Sequence, residues 1–237
     1  MLEINITNQF INNLQDLREA ENTLKDYSEK VIELCEYKVF ISDIASLKNK
    51  VEKLGLELIK NNSLAIKFVK NKTKRICKES LTKNGLSLQF VKYQDDELCK
   101  IALRQNPNSF IYVKNQNEKL CEFALKRDGL LLQYVKNQNE KLCCIAIRNN
   151  PECYEYVENK TTKVCLELVK KDGMYLKIVP IQNKEICMAA ILENPKAYRY
   201  VTKKMHKVLT KDNDLAKALI KRRSLLGNTI KYKVKPL

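Results

Sequence analysis

Apolar residues recur along this chain with a period of 22. Cys77, Cys99, Cys121, Cys143, Cys165 and Cys187 are spaced at that interval, as are Val69, Val91, Val113, Val135, Val157, Val179 and Val201. The residue before each Val is aromatic in six of seven cases, Phe68, Phe90, Tyr112, Tyr134, Tyr156 and Tyr200, with Ile178 the exception. Residues 117–121 and 139–143 are identical. Spacing held this long without an insertion is an internal repeat, the signature of an array rather than a globular core.

Every eleventh residue from Asn62 to Asn194 is a good helix N-cap: Asn62, Thr73, Asn84, Asp95, Asn106, Asn117, Asp128, Asn139, Asn150, Thr161, Asp172, Asn183 and Asn194. Short oxygen acceptors of this kind satisfy the orphan N–H groups of a helix start. Each 22-residue unit is therefore predicted to hold a longer helix A, starting after Thr73, Asp95 or Asn117, and a shorter helix B, starting after Asn84, Asn106 or Asp128. An 11-residue period also suits one continuous right-handed coiled coil. The alternation Gly85, Pro107, Gly129, Pro151, Gly173, Pro195 argues against it, because both residues are poor in helix interiors. On this reading Gly is the left-handed residue closing helix A and Pro the first residue of helix B. Ile76, Cys77, Ser80 and Leu81 line one face of helix A, and Leu88, Phe90 and Val91 the buried face of helix B. Helices this short are marginal alone. The predicted fold is all-α, an α-solenoid of short helix pairs repeating every 22 residues. The residue after Gly is apolar (Leu86, Leu130, Met174) and the residue after Pro polar (Asn108, Glu152, Lys196), so the true superperiod is 44.

The Leu-Cys-xx-Ala-Leu core of helix A (Leu98–Leu103, Leu120–Leu125), the alternating Gly and Pro turns, and the aromatic-Val-Lys ending of helix B (Phe90–Lys92, Tyr112–Lys114, Tyr134–Lys136) resemble an α-helical repeat family of unknown function found in giant DNA viruses and in some protists and bacteria. The resemblance covers about residues 51–201. It implies a helical repeat fold and a viral origin, which the Asn- and Lys-rich wording fits, and it implies no activity.

Three regions follow from charge and pattern: an acidic N-terminal helical cap over 1–50, the array over 51–201, and a basic C-terminal helix and tail over 202–237. The chain has 44 Lys and Arg against 28 Asp and Glu, a formal net charge of +16. Of this, the first region carries −3, the array +10 and the last 36 residues +9. The excess is therefore no single basic patch. Residues 230–235 alternate apolar residues with Lys, as an extended tail or strand does. No apolar run approaches the ~20 residues of a membrane span, and Met1–Gln9 is too polar and Asn-rich for a signal peptide.

The nine cysteines contain no C-x-x-C, and six fall on one register, which favours small core residues over metal or redox chemistry. Thiols without a disulfide framework point to a reducing intracellular compartment, host cytoplasm or virion, with the nucleus also open. The aromatic row reads as the core stripe of helix B in preference to a base-stacking platform. Two basic ladders, Lys70, Lys92, Lys114 and Lys136 after helix B, broken at Glu158 and Pro180, and Lys60, Arg104, Lys126, Arg148 and Lys170 near the end of helix A, complement helix C-termini in preference to forming an edge for an anionic partner. Lys217, Lys221, Arg222 and Arg223, with Lys231, Tyr232 and Lys233 beyond them, extend that candidate surface into the tail. His206 stands alone in the basic segment and reads as a surface residue. No nucleotide-loop, nucleophile-elbow or zincin motif occurs, and no cofactor or metal is expected. The expected function is a non-enzymatic protein-binding scaffold, with RNA or DNA binding through the ladders and tail as the alternative. Self-association is a further possibility and a membrane partner is not expected.

Overall fold

The computed structural model describes residues 12, 14–23, 25–26 and 39–211. The chain divides into two compact units, Met1–Ala124 and Leu125–Leu237, so the boundary falls inside the repeat array. The first unit contains helical residues 14–23, here α1. It continues with α2 (Val39–Asn61), α3 (Lys74–Lys83), α4 (Asp96–Gln105) and α5 (Glu118–Leu125), whose last residue lies across the boundary. Between these helices lie the 3₁₀ helices η1 (Ser63–Phe68), η2 (Gly85–Phe90) and η3 (Pro107–Tyr112). The second unit contains η4 (Gly129–Tyr134), α6 (Glu140–Asn149), η5 (Pro151–Tyr156), α7 (Thr162–Val169), η6 (Gly173–Ile178), α8 (Lys184–Glu193), η7 (Pro195–Tyr200) and α9 (Lys203–Thr210). Within each unit α-helix packs on successive α-helix and 3₁₀ helix on successive 3₁₀ helix, making an all-α solenoid with no strand among the described residues. The first helix of the array, α2, is 23 residues long and starts inside the segment expected to be the cap. Residues 212–237, including the expected strand or tail, lie outside the described residues.

The spaced caps work in two geometries. At α-helix starts the side chain accepts from the third residue on, as Asp95 does from Leu98 (2.8 Å) and Asn139 from Leu142 (2.8 Å). At 3₁₀ starts it accepts from the second residue on, as Asn84 does from Leu86 (3.0 Å) and Asp128 from Leu130 (2.9 Å). All thirteen caps form such a bond.

Helix B is thus a six-residue 3₁₀ helix, and this corrects the expected core. A 3₁₀ helix has three residues per turn, so i, i+3 and i+6 share a face. Gly85, Leu88 and Val91 are buried together, as are Gly129, Leu132 and Val135. The last residue of each 3₁₀ helix sits two positions after Ile66, Leu88, Phe110, Leu132, Tyr154, Leu176 or Tyr198 and is less buried than all of these but Tyr198. Tyr134 is 45% exposed and Phe68 and Ile178 are exposed, while Phe90, Tyr112, Tyr156 and Tyr200 are half-buried.

The glycines are also differently employed. Gly85, Gly129 and Gly173 begin their 3₁₀ helices, and none has the left-handed φ expected of a helix-closing residue. Instead the backbone of the next repeat, in the same compact unit, runs against them. A Cβ on Gly85, Gly129 or Gly173 would overlap the carbonyl oxygen of Ala102, Ala146 or Ala190, which already accepts the cap amide of Asn106, Asn150 or Asn194 at 2.8 Å. In the same contact Gly85 N–H donates to Gln105 Oε1 (2.5 Å) and Gly129 N–H to Asn149 Oδ1 (2.7 Å). Proline has no N–H to satisfy, and the residues in the corresponding places after Pro107 and Pro151 are Arg127 and Lys171, which are not acceptors. The 44-residue superperiod is this alternation.

The α-helices supply the rest of the core. Leu98, Cys99, Ala102 and Leu103 of α4, and Leu142, Cys143, Ala146 and Ile147 of α6, are fully or nearly fully buried. No helix among the described residues is long and apolar enough to cross a membrane.

Candidate docking face

The cysteine register is held by turn residues. Gln94, Gln138 and Gln182 recur 44 residues apart, each in the turn after a Gly-led 3₁₀ helix. Gln94 Nε2 donates to the Tyr112 carbonyl (3.0 Å) while its Oε1 accepts from Lys114 N–H (3.0 Å), which clamps the next turn. Gln138 holds Tyr156 and Glu158 in the same way, and Gln182 holds Tyr200 and Thr202. The thiols of Cys99, Cys143 and Cys187 donate to these same Oε1 atoms at 3.9, 3.6 and 3.8 Å. Where Lys72 or Lys160 replaces the Gln, Cys77 and Cys165 donate to the lysine's backbone carbonyl instead. Burial pushes the Cys99, Cys143 and Cys187 thiols up to about 11 and Cys153 up to about 12. They are protonated donors in the core and poor nucleophiles. Cys144 and Cys153, outside the register, are buried as well. Among the described residues no group of His, Cys, Asp and Glu has the arrangement of a metal site.

The basic ladders are largely engaged inside the repeats. Lys114 Nζ donates to the Lys92 carbonyl (2.9 Å) and faces that of Val91 (3.4 Å). Lys92 Nζ lies over the Tyr93 ring, 5.4 Å from its centroid. Arg104 stacks on Phe123 at 5.6 Å, and Arg148 makes a two-pronged pair with Glu167 at 2.9 and 2.8 Å. Lys126 and Lys136 are exposed, and the Lys126 carbonyl accepts from Asn149 Nδ2 (3.0 Å). Lys92 and Lys114 are brought together; Arg104 and Arg148 stand in the last turns of α4 and α6. Lys217, Lys221, Arg222, Arg223, Lys231, Tyr232 and Lys233 lie outside the described residues. His206 packs edge-on against Tyr198, with centroids 4.4 Å apart.

Charge is divided between the two layers. Within each compact unit the α-helices carry ion pairs from repeat to repeat: Lys74 with Asp95 and Glu97 (both 2.7 Å), Lys78 with Glu97 (2.5 Å), Lys163 with Glu140 (3.2 Å) and Arg148 with Glu167 (2.8 Å). These partners hold the Asp95, Glu97 and Glu167 carboxyls below their ordinary range and raise Lys74. In the first unit the 3₁₀ helices and their turns, residues 62–72, 84–94 and 106–117, contain no Asp or Glu at all and five Lys. The same face carries the outward Phe68, Phe90 and Tyr112, with Leu64, Tyr93 and Ile111 exposed beside them. A cleft of about 400 Å³ opens there, lined by Lys72, Lys74, Lys92, Tyr93, Lys114 and others. In the second unit the 3₁₀ face carries Tyr134, Tyr156, Ile178 and Tyr200, and Glu152, Glu155 and Glu158 interrupt its basic character. Lys72, Lys74 and Tyr93 were missed as candidates from sequence. Their signal is departure from the repeat, since the corresponding positions are elsewhere mostly Gln, acidic residues and Asn.

No curated protein and no solved structure matches the chain. Residues 163–206 match the model of a domain of unknown function, DUF4116. That 44-residue match runs from α7 into α9 and equals one superperiod, a Gly-led pair followed by a Pro-led pair.

Proposed function

We infer that the protein is a non-enzymatic protein-binding scaffold whose docking surfaces are the faces made by its 3₁₀ helices. One observation carries this reading: each 3₁₀ helix ends in an aromatic or aliphatic side chain that is exposed or half-buried, so equivalent apolar groups recur from repeat to repeat within each compact unit. Such rows are typical of repeat-protein binding surfaces, and Tyr is favoured at interfaces for its large contact area and polar tip. Nucleic-acid binding is the competing reading. It has less support because Arg148 is paired with Glu167 and Arg104 lies over Phe123, and because Glu152, Glu155 and Glu158 interrupt a phosphate track. The family resemblance and the Asn- and Lys-rich wording support a viral source.

Affinity capture from expressing cells, with and without nuclease, tests this. The expected result is a protein partner retained after nuclease and released by Phe68→Ser or Tyr134→Ser. Loss of all partners on nuclease treatment, together with binding to generic RNA or DNA that weakens steeply with salt, would overturn it.

A further inference from the structure

The turns after the 3₁₀ helices share one requirement, an oxygen acceptor for the first backbone N–H after the buried Val. Gln94 Oε1 supplies it to Lys114, Gln138 Oε1 to Glu158 (3.2 Å) and Gln182 Oε1 to Thr202 (2.8 Å). At the first turn α1 supplies it. The Glu21 carboxyl accepts from the amides of both Lys70 (2.8 Å) and Asn71 (3.2 Å). By the same 20-residue offset, position 72 serves the turn at Lys92 and position 160 serves the turn at 180. Both are lysines, which only donate; Lys72 Nζ donates to the Val69 carbonyl and Lys160 Nζ to that of Val157 (2.7 Å). At residue 180 nothing is needed, because Pro180 has no N–H. At residue 92 the need persists, and among the described residues nothing accepts from the Lys92 or Tyr93 amide.

These two amides lie in the turn that lines the 400 Å³ cleft, beside the side chains of Lys72, Lys74 and Lys114. Asp95 is the one acidic lining residue, and Lys74 already pairs with it. Two consecutive turn amides beside ammonium groups are donors of the kind an oxyanion takes up. The Tyr93 ring, 81% exposed, offers an apolar platform next to it.

We propose that the cleft around Lys72, Lys92 and Tyr93 is a docking site for a carboxylate side chain on an acidic, apolar-bearing segment of a partner protein. The carboxylate takes the place on the Lys92 and Tyr93 amides that Glu21 takes on Lys70 and Asn71. That internal precedent favours a carboxylate over a phosphate. An apolar neighbour in the segment packs on Tyr93, and the acid-free 3₁₀ face of the first unit accommodates further acidic residues. The assignment rests on the scaffold reading above and names the partner's chemistry.

The test is a titration of the isotopically labelled full chain with a synthetic peptide alternating Glu with Leu and Phe, followed by amide NMR and fluorescence anisotropy. Parallel titrations use its Gln-for-Glu counterpart, a short single-stranded oligodeoxynucleotide and inorganic phosphate. The expected result is a downfield shift of the Lys92 and Tyr93 amides with the Glu peptide and affinity about 10-fold or more above the Gln peptide. Lys72→Gln recreates the arrangement of three other turns. It is expected to fold, to shift the Lys92 amide by itself and to weaken the Glu peptide about 10-fold. Lys160→Gln, facing Pro180, is expected to change nothing. Equal binding of both peptides, or wild-type binding by Lys72→Gln, overturns the site. Movement of these two amides by the oligonucleotide or phosphate but not by the Glu peptide overturns the carboxylate assignment. If nuclease-resistant partner capture persists and Lys72→Gln leaves it unaltered, the scaffold reading stands and this site falls.

Discussion

The two halves of each repeat begin with the same kind of cap and occupy equal lengths of sequence, yet they do opposite things with their side chains. The α half winds at 3.6 residues per turn, buries Leu-Cys-Ala-Leu and turns ion-paired charges outward. The 3₁₀ half winds at three, which brings Gly, Leu and Val onto one face and puts the aromatic ring on the other. A change of 0.6 residue per turn thus decides whether an aromatic residue stabilises the core or is offered to a partner. The α half ties its charges together; the 3₁₀ half of the first unit leaves lysines and rings accessible.

The contact between halves is tightest at the Gly–Ala approach, so the largest effect is expected there. Gly129→Val should destabilise by ~3–5 kcal/mol, because the added atoms meet the Ala146 carbonyl and the Asn150 amide of the next repeat, and backbone cannot yield as a flexible side chain can. A urea melt within about 1 kcal/mol of wild type would show that the two halves are not in close contact.

A gain is expected at the first turn. Glu21 is 4% exposed, and its Oε2 is buried with no partner among the described residues, whereas Gln94, Gln138 and Gln182 have a donating amide in the corresponding place. Glu21→Gln should stabilise the first unit by ~1 kcal/mol, within the range for satisfying a buried polar group. A lower melting temperature would mean that α1 does not imitate a repeat turn.

A smaller effect concerns the ion pairs of the α half. Arg148 holds the Glu167 carboxyl below its ordinary range, so the stabilisation is present above the unfolded carboxylate pKa of about 4.3 and is lost as pH falls through the lower folded value. The Arg148 side chain is largely exposed, so the pair should contribute only ~0.5–1 kcal/mol at low salt. Arg148→Met should therefore lower stability slightly at neutral pH and not at all once Glu167 is protonated. An equal loss at both pH values would attribute the effect to packing of the arginine stem on its neighbours.

Much of this architecture was legible in the residues. The eleven-residue cap series, the Cys register and the Gly/Pro alternation identified where each helix from η1 to η7 begins and that the pairs stack, but not the start of α2 at Val39. Three features were not. Six residues are too few to distinguish a period of 3.0 from 3.6, so Phe90 and Tyr134 read as core. The role of Gly129 depends on Ala146, a neighbour 17 positions along the chain that only packing reveals. The first basic ladder is broken at Glu158 and Pro180 in the sequence itself; spacing places Lys126 and Arg148 in one register but does not show that Glu167 pairs with Arg148. The recurrence of Gln every 22 residues at 94, 116, 138 and 182 was open to inspection, and with it the departures at Lys72 and Lys160. Its meaning waited on the Oε1 geometry.

The claim that the 3₁₀ half turns its aromatic row out of the core can be tested within one short helix. Leu132, fully buried, and Tyr134, two residues later, should differ sharply on truncation. Chemical denaturation is expected to show a loss of ~2–4 kcal/mol for Leu132→Ala and under about 1 kcal/mol for Tyr134→Ala, as at surface positions. Comparable losses at the two positions, or the larger loss at Tyr134, would contradict the account.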